Sequence, residues 1–156
     1  MNVRAADPRE VDHLARVWFD GWQDAHVRIL PAELTRIRTL ESFKARLAAS
    51  LPHVRVVGQC PTPVGFCILK GDELNQLYVS SEARGTGVAA ALMADAEARL
   101  AERDVEVAWL ACAVGNERAA RFYEKCGWHR AGTVGYEPEG ANEMPLEVWR
   151  YEKRLR

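Results

Sequence analysis

The stretch "SSEARGTGVAAALMADAEARL", residues 80 to 100, sets two glycines one residue apart, with Arg84 directly before them, at the head of an alanine-rich run. The residues just upstream, "DELNQLYVSS", are rich in β-formers, so Gly85 and Gly87 stand at a strand-to-helix turn. Such a turn aims backbone N–H groups and the positive end of a helix at one point in space, which suits an anion. In the helix, Ala89, Leu92, Met93, Ala96 and Leu100 form an apolar stripe, with Asp95 and Glu102 turned away from it.

The rest of the chain repeats the alternation. "NVRAA" reads as a short strand, and "ADPRE" supplies a helix start with Asp7 as N-cap, Pro8 at the first position and Glu10 at the third. Val11, Leu14, Val17, Trp18 and Trp22 carry that helix to about Gly21. "RILPAELTRI" breaks at Pro31 and restarts, and "TLESFKARLAAS" is another amphipathic piece. "HVRVVGQ" and "VGFCILKG", separated by "CPTP", read as an antiparallel hairpin. "VEVAWLACAV" is a core strand, and "NERAARFYEKCG" is a helix with Ala119, Phe122, Tyr123 and Cys126 on one face and Gly127 as its stop. "WHRAGTVGY" and "LEVWRYEKRL" close the chain as two strands joined by "EPEGANEMP". This order predicts an α/β (α+β) architecture with a mixed, partly parallel sheet of about seven strands flanked by helices.

A length of 156 residues fits one domain, 1–156. The net charge of -1 gives no general attraction to nucleic acid or to an anionic membrane, and neither partner is expected. No secretory leader or membrane-length apolar run is evident, so a soluble, cytoplasmic protein is expected. Cys60, Cys67, Cys112 and Cys126 have neither C-x-x-C nor zinc spacing, and reduced thiols with no metal are expected.

Three phosphate compounds compete for the glycine turn. A Walker A loop needs a lysine and a hydroxyl after its second glycine, where Val88 and Ala89 stand, and is excluded. The dinucleotide pattern G-x-G-x-x-G/A is met by Gly85, Gly87 and Ala90, but only one strand-helix pair and a hairpin remain for a fold that usually has more. The third reading uses the strand as well. "ELNQLYVSSEARGTGVAAALM" resembles the central motif of the GCN5-related N-acetyltransferases, a strand leading to Q/R-x-x-G-x-G/A and a helix, with Arg84, Gly87 and Ala89 at the defining positions. "NERAARFYEKCGW", Asn116 to Trp128, matches that family's later Asn, aromatic pair and Gly-aromatic stop.

The resemblance implies transfer of an acetyl group from acetyl-CoA (coenzyme A) to a primary amine. It places Tyr123 as the acid that protonates the departing thiolate, and Glu73 as a base acting through water. Leu77, Tyr78 and Val79 would lend backbone hydrogen bonds to the pantetheine arm, across a splay between their strand and the one at residues 105 to 112. Exposed amides of Gly85, Thr86, Gly87, Val88 and Ala89 would hold the pyrophosphate, Arg84 would meet a phosphate, and Asn116 would bond the arm. Trp18, Trp22 and His26 are candidates for the acceptor wall, and Glu137, Glu139 and Glu143 for attracting a cationic amine. Two alternatives remain open: acetylation of a protein or peptide N-terminus, and a catalytically idle acyl-CoA sensor. The family's habits also imply a homodimer through sheet edges or terminal strands.

Overall fold

A computed structural model describes residues 1–156. β1 (Val3–Ala5) leads into a single 3-10 turn, Pro8–Glu10, and then α1 (Val11–His26). The capping box read from the sequence forms: Arg9 N donates to Asp7 Oδ1 at 2.8 Å, and Asp7 N to Glu10 Oε1 at 2.8 Å. Glu10 is nevertheless fully buried, because Arg4 of β1 grips it with both terminal nitrogens at 3.0 and 2.7 Å. Arg4 also donates to the Gly58 carbonyl at 2.7 Å, so one ion pair ties β1, α1 and the turn after β2 together.

α1 does not stop near Gly21 but runs five residues further. Gly21 is a contact residue rather than a terminator: a Cβ there would lie 2.5 Å from Tyr78 Cδ1, so its absence lets the helix sit directly on the sheet. α2 (Ala32–Ile37) and α3 (Leu40–Ser50) follow, the second capped by Thr39, whose Oγ1 accepts from Ser42 N at 3.1 Å.

β2 (Val54–Val57), β3 (Gly65–Lys70) and β4 (Glu73–Val79) form an antiparallel run, with β1 on the outer edge of β2. α4 (Val88–Glu102) crosses back to β5 (Val107–Ala113), parallel to β4, and α5 (Glu117–Lys125), β6 (His129–Tyr136) and β7 (Leu146–Arg154) complete the chain. The result is a seven-stranded mixed sheet in the order β1-β2-β3-β4-β5-β7-β6, as the strand and helix alternation predicts.

Both faces of the sheet are covered. Phe66 and Ile68 of β3 pack with Trp18, Phe43 and Leu47 of α1 and α3, while Cys67 and Leu69 pack with Leu92, Met93 and Ala96 of α4. Two details of the α4 stripe differ from expectation. Ala89 is only half-buried, and Val88 takes the core position in the first turn. Asp95 does not turn to solvent but accepts from Arg55 Nε and Nη2 at 2.9 Å each, because Arg55 emerges from β2 beneath α4 and needs a carboxylate there.

The central β4 and β5 strands meet at a single registered position, Glu73 opposite Trp109. Trp109 N donates to the Asp72 carbonyl at 3.2 Å and its indole Nε1 to Asp72 Oδ1 at 2.9 Å, clamping this end. Beyond the clamp the strands diverge.

Two stability tests follow from these contacts. Gly21→Ala forces α1 off Tyr78 and should destabilise the fold by about 1–3 kcal/mol, read as a lower midpoint in urea. Glu10 has its pKa lowered, first by the Arg4 hydrogen bonds and against burial. Its contribution is therefore complete above the ordinary glutamate value of 4.5 and is lost as pH falls through the depressed folded-state value. Glu10→Gln should cost about 2 kcal/mol at neutral pH and flatten the acid limb of the melting-temperature profile; an acid limb identical to that of the parent would show that Glu10 does not set it.

Candidate active site

The divergence of β4 and β5 opens a cavity of about 600 Å³ that reaches from the glycine turn to α1, α2 and the late loop. Its β4 wall presents usable backbone. Ser80 N donates to the Val64 carbonyl at 2.8 Å, and Gly65 stands opposite Val79. Hydrogen-bonded pairs alternate in an antiparallel ladder, so Tyr78–Phe66 is also a bonded pair, and the N–H and C=O groups of Leu77 and Val79 face the open side. Leu77 and Val79 are thus available as expected, whereas the Tyr78 backbone is directed to β3. The Tyr78 ring instead fills the acceptor side beside Trp18 and Phe66, and burial pushes its phenol pKa up.

The glycine turn forms the next wall. Gly85 and Gly87 have φ of 77° and 91°, a left-handed conformation that side chains disfavour. The first helical bond runs from Ala91 N to the Gly87 carbonyl at 3.0 Å, so the amides of Val88, Ala89 and Ala90 precede it and open onto the cavity. Thr86 departs from expectation. Its amide donates to the Ala83 carbonyl at 3.3 Å, its hydroxyl bonds the same oxygen, and it does not line the cavity. Arg84 lines the cavity but is already paired, with Nη2 at 3.0 Å from Asp24 Oδ2, the same oxygen that Arg118 meets at 3.2 Å. Those contacts hold the Asp24 carboxyl below its ordinary value, Arg118 having the larger effect.

Opposite stands α5. Asn116 Oδ1 accepts from Ala119 N at 3.4 Å, so the side chain caps the helix while lining the cavity. Tyr123 lines it too, its ring 5.8 Å from those of Phe122 and Tyr151, and burial pushes its phenol pKa far up, which keeps the proton on at neutral pH. Glu73 sits half-buried at the closed end of β4, just outside the residues that line the cavity. Burial raises its pKa, partly offset by Asn75 and Lys70.

The acceptor end is built by α1, α2, α3 and the late loop. Trp18, Trp22 and His26 all border the cavity, though Trp18 is 1% exposed and mainly a core residue, its ring tilted against Phe43 at 4.7 Å. His26 packs on Trp22 at 5.2 Å, and burial lowers its pKa to about 4, so the imidazole is neutral. Glu139 is the one late-loop glutamate on the cavity wall, but its charge is engaged: Oε2 accepts from Arg46 Nε at 3.1 Å and from Lys70 Nζ at 3.5 Å. Sequence reasoning passed over Arg38, Arg46, Cys112 and Tyr136, all on the wall. No group of three His, Cys, Asp or Glu is gathered as a metal site, and no helix is long and apolar enough to cross a membrane.

Known proteins place this geometry. An uncharacterized N-acetyltransferase of Mycobacterium tuberculosis (strain H37Rv) is 41% identical over 75 residues, covering 45% of this chain and 48% of that protein. The match thus spans about half the length of that relative. The peptidyl-lysine N-acetyltransferase YjaB of Escherichia coli (strain K12) is 28% identical over 133 residues, covering 85% of this chain and 84% of its own. Among solved structures, a GCN5-related N-acetyltransferase from Rhodopseudomonas palustris superposes with a TM-score of 0.77 at 20% identity, covering 98% of this chain and 94% of that one. The sequence pattern of the acetyltransferase (GNAT) family matches residues 11–128, and the chain belongs to that family.

Proposed function

We propose that the protein transfers an acetyl group from acetyl-CoA directly to the primary amine of a small molecule. The observation that carries the reading is the meeting, in one cavity, of the open Leu77 and Val79 backbone, the free amides at the head of α4, and Tyr123. The residues fit the donor: a strand edge can pair with the amides of a pantetheine arm, and a helix N-terminus with φ-positive glycines can hold a pyrophosphate. Acetyl-CoA supplies an activated acyl thioester.

Each remaining task falls to a residue of this chain. The acceptor ammonium must lose a proton before its nitrogen can attack the acyl carbon. Glu73, raised by burial, is the base for that proton and acts through water, because it lies behind the cavity wall. As the carbon–sulfur bond breaks, the thiolate needs a proton, and the protonated Tyr123 phenol donates it. The apolar walls around Val148, Ala113 and Phe122 exclude water that would compete with the amine. A small acceptor is favoured over a polypeptide because Arg46 and Lys70 pin Glu139, and with it the loop 137–145, against the acceptor end. Ala141 of that loop is buried in the α1–α3 core.

Tyr123→Phe should lower kcat by about 100-fold while acetyl-CoA still binds, measured by thiol release and by titration calorimetry; parental turnover would remove Tyr123 from the mechanism. Glu73 must be ionised to act, so kcat/KM should fall as pH drops through its raised pKa, above the ordinary 4.5. Glu73→Gln should lower kcat/KM and abolish that limb, and an unaltered pH profile would eliminate the base role.

A further inference from the structure

The acceptor end contains a cation with no partner. Arg38 is 6% exposed and lines the cavity, yet its guanidinium makes no hydrogen bond or ion pair with the protein, although buried arginines almost always do. The carboxylate facing it, Glu139, is already shared by Arg46 and Lys70. Burial, with the charge of Arg46 adding to it, pushes the Arg38 pKa down to about 10, so the group still carries its charge at neutral pH. Its other neighbours offer no second negative charge: His26 is neutral, and the Tyr78 and Tyr136 phenols are raised by burial.

The guanidinium is also well anchored. Arg38 ends α2, its N–H donating to the Leu34 carbonyl at 3.1 Å, and the next residue, Thr39, caps α3. The side chain therefore leaves a rigid corner between two helices. Arg46, by contrast, is stacked 4.5 Å over the Trp18 ring and bound to Glu139, which occupies it.

We propose that Arg38 receives a carboxylate of the acceptor, which makes the acceptor a small amino acid rather than a polyamine or aminoglycoside. This rests on the transferase reading above and names its substrate class. A planar carboxylate matches the guanidinium fork, and one negative charge balances the one unpaired cation at this end of the cavity. Three cations, Arg38, Arg46 and Lys70, surround one engaged carboxylate, so a polycationic amine would meet repulsion here. Of the late-loop glutamates expected to attract a cationic amine, Glu139 is engaged by these contacts, and Glu137 and Glu143 do not line the cavity.

The test compares matched pairs: α-amino acids, ω-amino acids of increasing length and dipeptides, each against its own carboxamide. In the parent protein, acids should exceed their amides in kcat/KM by about tenfold or more, chiefly through KM. Arg38→Gln should bring the acid-to-amide ratio close to one, and Arg38→Lys should retain part of it, with acetyl-CoA binding reporting that both variants are folded. The α-, ω- and dipeptide arms tell whether the carboxylate belongs to a free amino acid or to the end of a peptide. The same pairs are also titrated by calorimetry against protein saturated with coenzyme A. Acids that bind more tightly than amides in the parent but not in Arg38→Gln, with no thiol release from any amine, would keep the Arg38 site and overturn the transferase reading. Transfer without preference for acids, or a preference that survives in Arg38→Gln, would overturn the proposal and leave the transferase reading intact.

Discussion

Everything in the candidate site depends on the clamp at the start of β4. Asp72 holds Trp109 through both its carbonyl and its carboxylate, and Glu73 opposite Trp109 is the only registered pair between the two central strands. A parallel pair fixed at one end and released beyond it leaves strand backbone unpaired in the middle of the sheet. Unpaired N–H and C=O groups are normally found at sheet edges, where proteins must protect them. Here the exposed edge lies inside the molecule, walled by α4 and α5, and is available only to something that fits the cavity. A bulge reinforces the arrangement: Leu69 pairs with Leu74 while Ile68 pairs with Gln76, so Asn75 is an extra residue and β4 bends just beyond the clamp.

Ion pairs add a second tie between elements of the fold. Arg4 and Glu10 fasten β1 to the start of α1, and Arg55 and Asp95 fasten β2 to α4. Asp24 gathers Arg84 and Arg118, which brings the end of α1 against the glycine turn and the first turn of α5. Arg55–Asp95 and the two Asp24 pairs bridge elements distant in sequence, and partial burial strengthens the Arg4–Glu10 and Arg55–Asp95 attractions. Arg38 is the exception that gives these pairs their contrast, since Arg46, the other guanidinium on the acceptor wall, has both an anion and a ring to meet.

Much of the fold was legible because periodicity and punctuation are local. The capping box at Asp7 and Glu10, the break at Pro31, the glycine turn and the Gly127 stop all stand where the sequence puts them. The errors arise where a tertiary contact reassigns a residue. Gly21 reads as a helix stop, but its missing Cβ serves Tyr78, and Asp95 reads as solvent-facing until Arg55 is placed beneath it. Thr86 lies within the glycine motif, yet a turn bond to Ala83 withdraws its amide. Arg38 and Arg46 could not be told from the other basic residues of "RIRTLESFKARL", because a charged side chain turned into a cavity, from the end of α2 or from within α3, leaves no periodic trace.

This difference between what was legible and what was not has a chemical basis. The donor end is made of backbone: strand groups at Leu77 and Val79 and helix amides at Val88, Ala89 and Ala90. Backbone exposure is controlled by glycine placement and strand register, both of which leave a recognisable pattern in sequence. The acceptor end is made of side chains from three helices and a loop, brought together only by folding. Arg38, Arg46, His26 and Glu139 come from four separate segments, and the sign of the field they create depends on which of them are already paired. The late-loop glutamates Glu137, Glu139 and Glu143, read alone, suggest attraction for a cation. Read with their partners, Glu139 is cancelled, His26 is neutral, and the charge left facing the cavity is positive.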